Sequence, residues 1–495
     1  MVTLFTNQEF ADFNPKYFTY TPSCPGPWSK VVLSADFNIT AGIQFDRTAE
    51  VSIGYANVYY GTTREDSPTF APSWHVQRDL TDYSSLFTAT QPGEADLGNL
   101  VDSTYTGIIY GTAQLLFYPV STGATAPVVA DTVYPMPDAP GGAVGLYTTT
   151  DQLTGTFTLP PNVERAYLDV ITQSQSDDEF WYTCVPNDVT AELESCGNTA
   201  FREGEITIDG VPAGVAPVYP WIYTGGIDPD LWEPIPGVQT LNFVPYRVDL
   251  SPFAGILSDG EPHTVGLSVY NADSYFLATA TLLVYEDHGS ASVTGDITSN
   301  TLTAAPDPSV DENLSVDSFG DVTGTVTVSS ARPFTIAGYV NTSHGRVDIT
   351  VNQTVNFSNQ QTFDINAFEY VQAISQLTTV DASTTFSSSQ GTSTNTKSFT
   401  YPLLLDIGEV LQSNGDINLT TTVDQQYITG QNANSMNDEF KGTDTAIFDS
   451  NFDFLGNEGQ LSSLFLLTKA PTGCSETLVA ASNDQVTSKK TLPCN

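Results

Sequence analysis

Three observations predict an all-β fold, built as two tandem jelly-roll or β-sandwich domains followed by a third β-rich domain. Apolar and polar residues alternate with period two, long helical periodicity is missing, and the alternating runs are short and bounded by Gly, Pro, Asn and Asp. Many short strands punctuated in this way pack as sandwiches or jelly rolls. At 495 residues the chain is too long for one ordinary core, so two or three domains are expected.

Taken in order, Lys30 to Ile39, Ala49 to Tyr60 and Tyr105 to Tyr118 read as strands of a first domain, residues 1–145. Residues 119–145 shift to Pro, Gly and Ala, including Pro135, Pro137, Pro140, Gly141 and Gly142, and read as an interdomain connection. Ala166 to Thr172, Glu205 to Asp209, Thr264 to Tyr270 and Thr279 to Tyr285 give strands of a second domain, residues 146–290. A second break falls at 289–312. Beyond it the chain is rich in Ser, Thr, Asn and Gln, yet Gly324 to Val328, Arg346 to Phe357, Phe363 to Phe368 and Ile417 to Tyr427 alternate as half-buried strands do. Residues 291–495 are therefore expected to form a third β domain rather than a disordered tail.

Charge narrows the setting. The chain carries 15 Lys and Arg against 57 Asp and Glu, a formal net charge of -42. Such a surface repels nucleic acid and anionic membranes, so neither is an expected partner. Protonation relieves the self-repulsion as pH falls, which suits an acidic extracellular or vacuolar milieu. No apolar run is long enough to cross a bilayer as a helix. The segment Met1 to Phe10 lacks the basic and apolar regions of a signal peptide, so a secreted mature chain with its export signal already absent is expected.

The five cysteines fit export. Cys184 with Cys196, and Cys474 with Cys494, would each close a short loop, leaving Cys24 over. Glycosylation sequons start at Asn38, Asn313, Asn341, Asn352, Asn356 and Asn418. Together they favour a eukaryotic secretory route.

Several mechanisms lack their signatures. There is no Gly-x-Ser-x-Gly elbow, no Asp-Thr-Gly or Asp-Ser-Gly, no phosphate loop and no His-Glu-x-x-His. The four histidines are far apart and no EF-hand spacing accompanies Asp228 and Asp230, so no metal and no cofactor are expected. What remains is carboxylate chemistry among large aromatics, concentrated in residues 177–233. Arginines touch acids in sequence at Asp46-Arg47, Arg78-Asp79 and Arg202-Glu203; a fixed positive charge keeps a neighbouring carboxylate ionised at low pH. Read as an extended strand, Asp177, Glu179 and Trp181 would share one face, setting Glu179 beside an aromatic ring, while Glu203 and Glu233 are further acid candidates. Trp181, Tyr182, Trp221 and Trp232 are candidate sugar or peptide platforms.

These residues carry a resemblance. Asp178-Glu179-Phe180-Trp181-Tyr182, Phe201-Arg202-Glu203, Ile206-Thr207-Ile208-Asp209-Gly210, Tyr223-Thr224-Gly225-Gly226-Ile227-Asp228-Pro229 and Trp232-Glu233-Pro234 resemble, in order, the acidic peptide N-glycosidase A family. Upstream, Cys24-Pro25, Trp28-Ser29-Lys30-Val31-Val32-Leu33 and Gln44-Phe45-Asp46-Arg47 are similar to its N-terminal segment, as is Asp249-Leu250-Ser251-Pro252-Phe253 downstream. The similarity covers about residues 22–290. Plant relatives place a cysteine near Thr40, so the partner Cys24 would have is missing here.

The resemblance implies two jelly rolls with the site at their junction. It implies hydrolysis of the amide between Asn and the first N-acetylglucosamine of N-glycosylated peptides and glycoproteins, giving Asp and a glycosylamine. Distant bacterial relatives share an Asp-Arg segment with a catalytic Asp, so Asp46 is implied as the first catalytic residue, with Glu179, Glu203 or Glu233 as the proton donor and Arg47 and Arg202 at the substrate. A monomer or a proteolytically nicked chain is expected. A carboxylate-pair glycoside hydrolase and a lectin-like module are the alternatives.

Overall fold

The computed structural model describes residues 1–68, 70–469 and 473–493. The chain is almost wholly β, in five antiparallel sheets, and its helical segments are short turns. Two four-stranded sheets come from the first 119 residues. One runs Val2–Phe10, Ile109–Pro119, Trp28–Ile39, Ser73–Asp79, and the other Lys16–Tyr20, Gln91–Leu97, Thr48–Ile53, Ala56–Thr62. Leu33 and Phe37 of one sheet meet Ile53 and Tyr59 of the other in a single core, to which Leu283 and Tyr285 of the middle third also belong. The run read as one strand from Ala49 to Tyr60 is a hairpin. Gly54 and Tyr55 turn it at φ 56° and 65°, the left-handed pair that a two-residue hairpin loop demands.

The middle third forms two more sheets. One has the order Val144–Leu146, Tyr275–Glu286, Val163–Gln175, Tyr246–Asp249, with Thr132–Met136 also on Tyr275–Glu286; the other is Leu153–Thr158, Pro262–Tyr270, Glu203–Ile208, Val211–Pro217. The stretch 119–145 is thus not only a connection. Thr132–Met136 and Val144–Leu146 are strands within it, held by a partner more than a hundred residues later.

The last third is a single eleven-stranded sheet, most of it a meander with strands such as Gly345–Asn366 and Gly391–Leu411 over 20 residues long. A single sheet layer cannot bury both faces, so it needs a partner layer. Its inner face, through Phe357, Tyr401, Leu403, Tyr427 and Phe440, shares one core with Trp181, Tyr219, Trp221 and Trp232 of the middle third. Its abundant amides have a purpose there. Asn359, Gln361 and Gln372 are buried and donate to the carbonyls of Tyr182, Cys184 and Thr183 at 2.9 Å each. Gln425 donates to Pro220 O at 2.6 Å and accepts from Val238 N at 3.0 Å. Irregular backbone buried under a sheet must find such partners.

Cys184 and Cys196 are disulfide-bonded as expected, and Cys24 is free. Cys494, the partner expected for Cys474, lies outside the described residues. Asn38, Asn313, Asn341, Asn352 and Asn356 are exposed and Asn418 is half-buried. No helix among the described residues is long and apolar enough to cross a membrane.

Candidate functional site

Asp46 lies in the loop between Trp28–Ile39 and Thr48–Ile53, Glu65 follows Ala56–Thr62, and Glu179 sits between two 3₁₀ turns after Val163–Gln175. The Gly225-Gly226 turn brings them together. A Cβ on Gly225 would lie 2.4 Å from Glu65 Oε1 and 2.8 Å from Asp46 Oδ1, and one on Gly226 would lie 3.4 Å from Glu179 Oε1. A side chain at Gly225 would displace the Glu65 and Asp46 carboxyls, whereas Gly226 is in ordinary contact distance of Glu179. Thr224 Oγ1 stitches the middle third to the first here, donating to Thr63 O at 2.8 Å, while within the first third Arg47 N donates to Thr63 Oγ1 at 2.8 Å.

The three carboxyls differ in how they are held. Burial raises Asp46 to about 6, while a hydrogen bond from the Gly225 backbone and the charge of Arg47 oppose the rise. Glu65 is raised to about 7 by burial and then by the negative charge of Asp46, although it accepts the Asp46 backbone N–H at 3.1 Å. Glu179 is raised to about 7 by burial, then by Asp46 and Glu65. Its carboxyl has no hydrogen-bond partner among the described residues. Between about pH 6 and 7 Asp46, the most acidic member, is largely ionised while at least one Glu stays protonated, so a base and an acid stand side by side.

Other candidates fall elsewhere. Residues 176–183 are not a strand: Ser176–Asp178 and Trp181–Thr183 are 3₁₀ turns, so the alternation that grouped Asp177, Glu179 and Trp181 does not apply. Glu203 is buried against Arg332 of the last sheet, and its charged neighbours are Arg332 and Glu205 rather than the carboxyls at Gly225. A buried acid on a sheet interface needs such a counter-charge. Arg202 is equally buried and is locked to Asp178, away from any substrate. Glu233 is half-buried among Asp484, Arg64, Asp230 and Asp66, near enough for its charge to raise Glu65. Arg47 donates to Gln44 Oε1 at 2.6 Å and adjoins Asp46.

The proposed platforms are corrected as a group. Trp181, Tyr182, Trp221 and Trp232 are 5% exposed or less, because large aromatics fill the space between sheets. Trp221 stacks on Phe243 at 4.1 Å, and Trp232 packs on Phe440 at 4.9 Å while its Nε1 donates to Gly226 O at 2.9 Å. The exposed aromatic next to Asp46 in sequence is Phe45, 51% exposed, 5.4 Å from Tyr105 and with the Arg47 guanidinium 5.9 Å from its ring centroid. Glu65 and Phe45 were missed from sequence. The available signals were the Arg64-Glu65-Asp66 run just after a strand and the aromatic preceding Asp46. Among the described residues no group of three or more His, Cys, Asp or Glu is arranged to hold a metal ion.

A seam of acids continues from the site toward the last sheet. Asp228 and Asp444 are 2% and 1% exposed, and each has one oxygen with no partner. Burial, then the opposing charges, push Asp228 to about 7; burial, then Asp230 and Asp484, push Asp444 to about 6. An unfolded Asp releases its proton near about 3.9. The folded chain therefore binds more protons from about pH 4 upward, and the seam's stabilising share is lost as pH rises through these folded values. Asp228→Asn is expected to raise the melting temperature by several degrees at about pH 8 and scarcely at about pH 4.5. Differential scanning calorimetry checks this; an equal shift at both values would contradict it.

Fold and site together define an all-β protein with a cluster of carboxyls where its first and middle thirds meet. Residues 2–303 match the model of the peptide N-acetyl-β-D-glucosaminyl asparaginase amidase A family, and residues 325–403 match its C-terminal domain. The chain belongs to that family. It is 29% identical over 438 residues to peptide-N4-(N-acetyl-β-glucosaminyl)asparagine amidase A of Prunus dulcis, covering 84% of this chain and 75% of the relative. Among solved structures, PNGF-II is similar at a TM-score of 0.38 with 14% identity, over 58% of this chain and 65% of the other. PNGase F, a glycosylasparaginase from Flavobacterium meningosepticum, gives 0.37 with 13% identity, over 58% and 95%.

Proposed function

We propose that the chain hydrolyses the amide joining Asn to the first N-acetylglucosamine of N-linked glycans on peptides and glycoproteins. The observation that carries this reading is the convergence of Asp46, Glu65 and Glu179 on the Gly225-Gly226 turn. Asp46, the most acidic, takes a proton from water as its oxygen bonds to the Asn side-chain carbonyl carbon. The carbon–nitrogen bond then breaks and Glu179, whose carboxyl is otherwise unengaged, gives its proton to the departing nitrogen. The products are Asp and a glycosylamine, which loses ammonia in water. Glu65 positions Asp46 through the backbone hydrogen bond and Arg47 keeps Asp46 ionised, while Phe45 and Tyr105 offer ring faces to sugar or peptide.

The raised carboxyls suit an acidic working pH. A secretory destination accords with the Cys184–Cys196 bond and the exposed sequons. The chain acts as a monomer, and the core shared by its middle and last thirds would hold a nicked chain together. Incubation with a defined glycopeptide at a pH between the Asp46 value of about 6 and the Glu179 value of about 7, the range where one base and one acid coexist, tests the function. Mass spectrometry is expected to find Asp in place of the glycosylated Asn and an intact chitobiose end on the glycan. A peptide still carrying N-acetylglucosamine would mean a glycosidase, and an unchanged glycopeptide would mean a binding module.

A further inference from the structure

A second cavity of about 560 Å³ opens where the first sandwich, the middle third and the last sheet meet, and none of the site carboxyls lines it. Its wall carries Arg78, Arg247 and Lys397, three of the chain's 15 Lys and Arg, together with Asp79, Asp82 and Asp169. Two of the cations are spent. Arg247 holds Asp169 through Nε at 2.7 Å and Nη2 at 2.9 Å and also pairs with Asp82, and Arg78 donates to Asn57 Oδ1 at 2.8 Å.

Lys397 is different. It is half-buried, and its ammonium has no hydrogen-bond acceptor or ion-pair partner among the described residues. The nearest acids are committed elsewhere: Asp169 and Asp82 to Arg247, and Asp249 to Ser251 N at 3.0 Å and Thr384 Oγ1 at 2.7 Å. Lys397 also reaches the two adjoining cavities of about 660 and 220 Å³, so the ammonium stands where three hollows join. Burial, then the nearby Arg247, disfavour its charge, which fits a cation awaiting an anion.

The remaining lining says what kind of anion. Phe399 is half-buried beside Lys397's strand neighbours, with Tyr427 behind it, and Asn242, Gln77 and Thr429 offer amides and a hydroxyl. An aromatic wall, scattered neutral hydrogen-bonding groups and a lysine ammonium without an acceptor match a hydroxylated ring bearing one carboxylate. A bare polyanion fits poorly, because the surrounding net charge of -42 repels it.

We propose that this cavity is a second binding site, separate from the carboxyl cluster, for a sugar acid whose carboxylate pairs with Lys397 and whose ring lies against Phe399. The site stands whatever chemistry the cluster performs. Titration calorimetry of the full chain with glucuronate at about pH 5.5, where the sugar acid is ionised, is expected to show binding. Lys397→Met should weaken it about tenfold or more, the scale of a lost charge-assisted hydrogen bond, and Lys397→Arg should retain most of it. Phe399→Leu should weaken it less, with melting temperatures of all three variants checked against the parent. Absence of binding, equal binding by Lys397→Met, or equal binding of glucose or inorganic phosphate would overturn the proposal.

Discussion

Asp46→Asn is expected to lower kcat on a glycopeptide by about 10²–10⁴-fold, the usual worth of a general base, without unfolding the chain. Asn is isosteric and can still accept the Gly225 backbone hydrogen bond, and the Asp46 backbone N–H still meets Glu65. Only the ionised oxygen is lost. Removing one negative charge from three crowded carboxyls should even raise stability at neutral pH, because Glu65 and Glu179 then ionise with less repulsion. For the parent, activity should fall below the Asp46 value of about 6 as the base protonates, and above about 7 as the donor ionises. A variant that keeps more than about a tenth of kcat would remove Asp46 from the base role, since a base is worth far more.

The second large effect is structural. Asp178→Ala is expected to destabilise the chain by about 3–5 kcal/mol, because it strands the guanidinium of Arg202 in the core. The pair is 1% and 0% exposed, and Asp178 accepts from Arg202 Nε at 3.0 Å, Nη2 at 2.8 Å, and the backbone of Asp273 and Ser274 at 2.9 and 2.8 Å. Arg202 in turn donates to the carbonyls of Thr199 and Phe201 at 2.9 Å. Neither charged side chain of the pair faces water. Asp178 is the residue before Glu179, so the variant should also lose activity at temperatures where it is still folded. Denaturant midpoints measure the first effect and kcat the second. A cost under about 1 kcal/mol would equate this pair with an exposed salt bridge.

Much of the fold was legible where one strand face is buried and the other is wet. Arg346 to Phe357 alternates, and it lies in the strand Gly345–Asn366, whose side chains are buried in turn. Legibility failed where pairing depends on distant residues. Thr132–Met136 is rich in turn formers yet becomes a strand because Tyr275–Glu286 offers it an edge. It failed again at residues 176–183, where buried polar contacts to Arg202 outweigh strand periodicity. Asp46 and Glu179 were visible in the family's motifs. Glu65 was not, because its role arises only when Gly225 folds against a loop from the other sandwich. Tryptophans near acids suggested sugar binding, but burial of area claimed them first.

The inner face of the last sheet bears on when this molecule becomes competent. Chains emerge N-terminus first, so the loops bearing Asp46, Glu65 and Glu179 exist long before Gln425 and Phe440 do. Until those arrive, Pro220 and Val238 lack their amide partner, and Trp232, which holds Gly226 in place, has no ring behind it. Synthesis thus orders the assembly: the final strands are the last to close over Pro220, Val238 and Trp232, behind the turn that gathers the three carboxyls.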